Sequence, residues 1–299
     1  MTTEDSPVKQ DTNWFPILIT EFLLISIINA ITITAFARIR HLRKRSTYLI
    51  INLTVADLLL GAVAGPLYVY HKGKEDHDLT WPEFIFWAVK LTFLTASPVN
   101  LSLIAFERLH AALFSFRHCL IRKWFYVKII TVSWFITLLL ASFMAGLYLN
   151  EPYSALAFAR TSFDVVNLLV LAVSYIIVIL IVQRSHYQTN VAALQVERKL
   201  SITLSIVTGV SVLTILPWAI YKSLPQHIKA KRDMESNLDI HQMLAVISFA
   251  NSLVNPFVYA IRMQAFRKAL RNLVSRQRQP QQTTGKQKRT HRSQPDTKV

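Results

Sequence analysis

Apolar residues along this chain gather into seven long blocks, near 15–38, 47–70, 83–112, 124–148, 155–183, 199–221 and 240–262, separated by short charged stretches. A bilayer core asks for roughly 20 apolar residues per helix, and each block is long enough. Inside lipid a lone segment can satisfy its own backbone only as a helix. The pattern therefore predicts an all-α membrane protein, a seven-transmembrane helix bundle spanning 15–262. The connections are short; that between the fourth and fifth blocks, about Leu149 to Ser154, has no room for a lid or a domain. Past Met263, Phe266, Ala269, Leu270 and Leu273 form an apolar stripe among basic residues. That stripe predicts a short amphipathic eighth helix over 263–275, lying in the membrane interface. Residues 276–299 are basic and polar, as a disordered cytoplasmic tail would be.

Charge sets the orientation. Arg38, Arg40, Arg43, Lys44 and Arg45 crowd the first loop, Arg117, Arg122, Lys123 and Lys128 surround the second, and Arg262, Arg267, Lys268 and Arg271 follow the last span. The opposite side has fewer basic residues, mainly Lys72 and Lys74 beside Glu75, Asp76 and Asp78, and the cluster Lys229 to Arg232. Basic loops stay cytoplasmic, which puts residues 1–14 outside and the C-terminus inside, as expected of a plasma-membrane protein. The net charge of +16 is thereby accounted for by topology, and nucleic-acid binding is set aside. The first apolar run is long enough to span and is expected to act as an uncleaved signal anchor. Cys119 is the single cysteine, so no disulfide can form within the chain.

Polar residues inside the spans carry the candidate chemistry, because an intramembrane ionisable group is costly and usually functional. Asp57 lies about 15 Å along the second helix from its start, near the midplane. Asn29, Ser97, Asn251, Ser252 and Asn255 can reach a similar depth. The cluster reads as a structural carboxylate with its partners, or as a site for a small hard cation such as sodium at Asp57, Ser97, Asn251 and Ser252. In the seventh block Pro256 removes a backbone hydrogen bond in mid-helix, and Asn255 and Tyr259 stand beside the defect. The third block ends in Glu107-Arg108, and Glu197 opens the sixth from the same side. Those charges form either a bridge from Arg108 to Glu197 that closes the inner face, or separate solvated groups.

Taken in order, these motifs resemble the rhodopsin-like (class A) G-protein-coupled receptors over about Phe15 to Leu273. The residues that carry the resemblance are Asn29, the run Asn52 to Asp57, Glu107-Arg108-Leu109, Trp134, Tyr175, Pro217 and Asn255-Pro256 with Tyr259. The chain departs from the family at Glu83, where most members place a disulfide cysteine, and at Asn167, near the usual fifth-helix proline. Ile215 stands where the sixth helix usually has an aromatic switch, with Trp218 just after the proline. The missing disulfide and fifth-helix proline resemble the melanocortin-like branch.

The resemblance implies a cell-surface receptor that binds an extracellular ligand and activates a heterotrimeric G protein. The sixth helix would swing about Pro217, breaking Arg108–Glu197, with Arg108, Tyr175 and Tyr259 holding the open cleft. The alternative is a ligand-binding or scaffold receptor of the same fold that does not couple. The resemblance also implies a ligand cavity facing Lys90, which precedes Arg108 by about 27 Å of helix. Leu91, Leu94, Arg160, Asp164, Trp218 and Phe249 are the other candidate ligand contacts. Amine receptors carry an aspartate at the place of Lys90, so a lysine favours an acidic or hydrogen-bond-accepting ligand. Its rivals are an internal Lys90–Asp164 or Arg160–Asp164 bridge, or a Lys90 that snorkels outward. Phe249 replaces the lysine that retinal binding requires, which rejects an opsin. No catalytic constellation or metal-ligand cluster is visible, so no enzyme and no resident cofactor beyond the candidate sodium is expected.

Overall fold

The computed structural model describes residues 14–38, 47–72, 81–150, 153–184, 209–222, 224, 234–262, 266–267 and 271. Six long helices have stretches apolar enough to cross a membrane: Trp14–Arg38, Thr47–His71, Trp81–Leu113, Lys123–Tyr148, Ala155–Ile181 and Asp239–Ile261. A shorter apolar helix, Gly209–Lys222, takes the sixth place; the rest of the predicted sixth span, 199–208, lies outside the described residues. Together they form a seven-helix membrane bundle; the six long helices agree with the predicted spans to within a few residues, and the sixth place ends one residue past its predicted end. A short helix, Ser115–Leu120, joins the third span to the fourth. Of the predicted eighth helix only Phe266, Arg267 and Arg271 are described, all helical. The tail expected over 276–299 and the first basic loop beyond Arg38 are outside the described residues.

The bundle is polar within and apolar without. Leu23 and Ile27 of the first span, Phe135, Leu139 and Phe143 of the fourth, and Val166, Leu169 and Val173 of the fifth are exposed. Asn29, Asn52, Asp57, Ser97 and Asn100 are buried. Soluble domains sort the other way; here lipid takes the place of water around the outer faces. The third span is the central post, packed on the second, fourth and fifth. Around its Arg108 end lies the largest apolar core, with Phe36, Leu53, Leu101, Ile104, Tyr126, Tyr259 and Phe266. Near its Lys90 end two smaller clusters form, one on Leu18, Phe22, Ile25 and Phe249 and the other on Leu91, Met144 and Leu156.

The second span holds a feature that the apolar pattern does not forecast. Between helical segments Thr47–Leu59 and Gly65–Lys72 the chain widens into a π-helical turn, Leu60–Ala64. There Gly65 N–H donates to the carbonyl of Leu60, five residues back. Pro66 follows at once and has no N–H for the carbonyl four residues before it, so the wider turn falls where regular pairing is already broken. The first span seats itself against this turn. A Cβ on Gly61 would stand 2.6 Å from Ser26 Oγ and 2.8 Å from the Phe22 carbonyl, and one on Gly65 would strike the Phe22 ring. At Gly61 the obstacle includes backbone, which cannot turn aside.

Gly61→Ala is therefore expected to lower the melting temperature of the purified protein, by a destabilisation of about 1–3 kcal/mol typical of overpacking. Gly146, whose Cβ would meet nothing within 4 Å, supplies the control. Thermal unfolding followed by tryptophan fluorescence should separate Gly61→Ala from an unchanged Gly146→Ala.

Candidate functional site

Pro256 sits inside the helix Met234–Arg262 and leaves the carbonyl of Ser252, four residues earlier, without its helical donor. Asn29 of the first span fills the vacancy: its Nδ2 donates to the Ser252 carbonyl at 3.2 Å and to its own Ile25 carbonyl at 2.9 Å. The same kinked segment reaches the second span. Ser252 Oγ donates to Asp57 Oδ1 at 2.7 Å, and Asn255 Nδ2 donates to Asp57 Oδ2 at 2.9 Å. Asp57 is fully buried, and Ser97 of the third span lies beside it. Of the residues expected to converge on Asp57, two therefore bind the carboxylate directly and Asn29 acts through backbone. Asn251 turns toward the sixth span instead, its Oδ1 meeting Thr214 Oγ1 at 3.5 Å.

One carboxylate beside the neutral oxygens of Ser97 and Ser252 is the donor chemistry of a hard cation rather than of zinc. A cavity of about 40 Å³ lined by Ser97, Asn251 and Ser252 lies against the cluster, more than the 10–15 Å³ or so that one water needs. The residues fit a small ion. A second polar knot sits nearby: Trp134 Nε1 donates to Asn52 Oδ1 at 2.9 Å, and Asn52 Nδ2 donates to Asn100 Oδ1. It fastens the second, third and fourth spans. Asn167 does similar work on the fifth, accepting from Ser102 Oγ at 3.0 Å while its Nδ2 caps the Phe163 carbonyl at 2.9 Å.

At the Arg108 end, Arg108 is 3% exposed. Its Nε stands 2.5 Å from Glu107 Oε2. Glu107 Oε1 accepts from Tyr126 hydroxyl at 3.2 Å and lies 3.3 Å from His118 Nε2. Glu107 thus gathers the third span, the short helix after it and the start of the fourth. Glu197 lies outside the described residues, and with it the expected Arg108–Glu197 bridge. Tyr259 is fully buried, its ring packed edge-on to Phe36 and Phe266 at 6.4 Å from each. Tyr175 approaches the sixth span, its hydroxyl 4.0 Å from where a Cβ on Gly209 would stand. Pro217, higher in the sixth span, is half-buried.

The opposite end holds a cavity of about 210 Å³. Lys90, Leu91, Leu94, Arg160, Trp218 and Phe249 line it, so six of the seven candidate ligand contacts meet in one place. Asp164 borders only the smaller cavity beneath, which shares Leu94, Arg160, Trp218, Ser248 and Phe249 with the upper one. Lys90 does not snorkel: it is 4% exposed, and its Nζ sits 3.3 Å from the centroid of the Trp87 ring. Nor does it pair with Asp164, which takes Arg160 Nε at 3.2 Å. Tyr68, Trp87, Lys222, His241 and Ser248 also line the cavity and were not among the residues expected there. Lys222 carries a readable signal, a charge five residues past Pro217 at the end of an apolar block; Tyr68 and His241 carry none. Glu83, in the place of a disulfide cysteine, accepts from Trp87 Nε1 at 3.0 Å and lies 3.0 Å from His71 Nε2. It joins the second and third spans by polar contacts where a disulfide would anchor the third elsewhere.

This architecture has a counterpart among known proteins. The model of the rhodopsin family of seven-transmembrane receptors matches residues 28–259, and the chain belongs to that family, one of receptors and not of enzymes. It is a multi-pass membrane protein. Among its relatives, the histamine H4 receptor of Homo sapiens is 37% identical over 81 residues, 27% of this chain and 20% of that protein. A muscarinic acetylcholine receptor of Caenorhabditis elegans is 30% identical over 87 residues, 29% of this chain and 14% of its own. The histamine H2 receptor of Rattus norvegicus is 24% identical over 291 residues, 86% of this chain and 78% of the relative. The H4 match thus spans about a fifth of that relative's length.

Removing the Asn29 side chain should expose how much the kink depends on it. Asn29→Ala leaves the Ser252 carbonyl buried without a donor, a loss of about 1–3 kcal/mol. The expected outcome is a lower melting temperature in thermal unfolding. Thr34, whose hydroxyl bonds only its own helix at an exposed site, should tolerate alanine.

Proposed function

We propose that this chain is a cell-surface receptor that converts occupation of the Lys90 cavity into nucleotide exchange on a heterotrimeric G protein. The observation that carries the reading is the polar core at Asp57, which stands between the cavity and Arg108 and is tied by two hydrogen bonds to the kinked segment of the seventh span. A ligand that prefers one arrangement of that core shifts the population by its differential affinity. Arg108, Tyr175 and Tyr259 would then stabilise an open inner face, with the sixth helix pivoting at Pro217 and Glu197 released from Arg108. The basic loops support an outside N-terminus over 1–14, an interfacial helix over 263–275 and an inside tail over 276–299.

The relatives' named ligands, histamine and acetylcholine, are cations at neutral pH. Lys90 buried in the cavity wall would repel a cation, and an acidic ligand is the better match. Sodium is the candidate ion for Asp57, with Ser97 and Ser252 as neutral ligands and Asn251 able to join only by turning from Thr214. Bound there it would supply the positive charge that the buried carboxylate lacks. Exchanging sodium for choline at constant ionic strength should then lower the melting temperature of the native protein and not that of Asp57→Asn.

Coupling is checked by nucleotide exchange in membranes carrying the receptor and a panel of heterotrimers covering the G-protein classes. Basal exchange should exceed that of receptor-free membranes and fall about tenfold in Arg108→Ala. Exchange indistinguishable among native, Arg108→Ala and receptor-free membranes for every class would sink the coupling and favour a non-coupling receptor of the same fold.

A further inference from the structure

The cavity has two cationic poles supplied by different helices. The first is Lys90 on the third span, its Nζ framed by the rings of Trp87, Phe86 and Tyr68 at 3.3, 5.2 and 5.7 Å. Glu83 acts on it electrostatically, but Glu83 does not line the cavity and is already engaged with Trp87 and His71. The second pole is Arg160 of the fifth span with Lys222 of the sixth. Arg160 Nε meets Asp164, while Arg160 Nη1 is buried and has no hydrogen-bond partner among the described residues. Lys222 lies in the field of both Arg160 and Asp164, and its Nζ stands 4.8 Å from the centroid of the Trp218 ring. That carboxylate is turned away: Asp164 borders only the deeper cavity.

Among the described residues, then, three cationic side chains line this cavity and no carboxylate does. The wall between the poles is apolar, built from Leu91, Leu94, Trp218 and Phe249. Buried charge in such surroundings is normally paired or hydrogen-bonded, and a guanidinium edge can take a carboxylate in a fixed plane. A cation cannot satisfy either pole. A mono-acid satisfies one and leaves the other facing an apolar body. The volume of about 210 Å³ is below the roughly 300–1,000 Å³ of drug-sized sites, so the occupant is small.

We propose that the cavity is built for a small organic diacid, one carboxylate on the Lys90 ammonium, the other on the Arg160 Nη1 edge and Lys222, with an apolar body between them. The inference rests on reading this cavity as the ligand site, and it adds the second pole to that reading.

The test uses the full-length receptor in lipid nanodiscs. The probes are straight-chain dicarboxylates of four to nine carbons and the three benzenedicarboxylates, each against its matching mono-acid at equal ionic strength. Binding is followed by thermal shift and by calorimetric titration. A diacid should bind at least tenfold tighter than its mono-acid partner. Lys90→Gln, Arg160→Gln and Lys222→Gln should each weaken that diacid at least tenfold, the last without breaking the Arg160–Asp164 pair. Equal binding of mono-acid and diacid, lost in Lys90→Gln and untouched in Arg160→Gln and Lys222→Gln, overturns the second pole and leaves the acid reading of the cavity standing. Absence of binding by every acid overturns both.

Discussion

The peptide nitrogen of Pro256 has no hydrogen to give, and much of the polar interior is arranged around that deficit. In lipid an unsatisfied backbone group costs several kcal/mol, far more than at a wet surface. Asn29 supplies the missing donor to the Ser252 carbonyl, which draws the first span against the seventh. Ser252 and Asn255, the residues flanking the same defect, spend their side chains on Asp57 and so bring in the second. Three helices meet through one absent hydrogen bond. The carboxylate gains as well: a buried charge is tolerable only with such partners, and the kink presents two of them at the right height.

From this core the molecule differs toward its two ends. Toward Arg108 the apolar packing is dense, with Phe36, Tyr126, Tyr259 and Phe266 almost wholly enclosed, and Glu107 acts as an acidic hub for Arg108, Tyr126 and His118. Toward Lys90 the bundle opens into a cavity, and beneath it a separate smaller one, sharing some lining residues, reaches Ser252. Glu83 marks the same divergence. In place of a covalent anchor the third span has hydrogen bonds to its neighbours, and these leave a lysine-bearing face turned inward. An occupant of the cavity would press on residues one layer above Asp57, a short mechanical path through packed side chains.

Seven spans, their order and the family motifs were legible because lipid imposes a length and an apolar content that few other constraints blur. The placement of Asp57 with Ser252 and Asn255 was legible too, since polar residues in a span must find one another. Other details were not. The π-helical turn at Leu60–Ala64 depends on how Pro66, Gly61 and Gly65 meet the first span, and no period in the sequence encodes that meeting. Asn251 points to Thr214 and not to Asp57, a choice that helix packing makes. Lys222 and His241 enter the cavity wall, which the apolar pattern of their spans does not indicate.

What the chain by itself determined is which segments lie in the membrane and which side chains are too costly to leave unpartnered there. These follow from composition and spacing, which act locally. Which partner each polar group took was decided only by tertiary packing. Arg160 rather than Lys90 met Asp164, and Lys90 turned onto Trp87. Several donors and acceptors lay within reach along the sequence. The choice among them came from helix rotation, tilt and close approach, which only the assembled bundle sets.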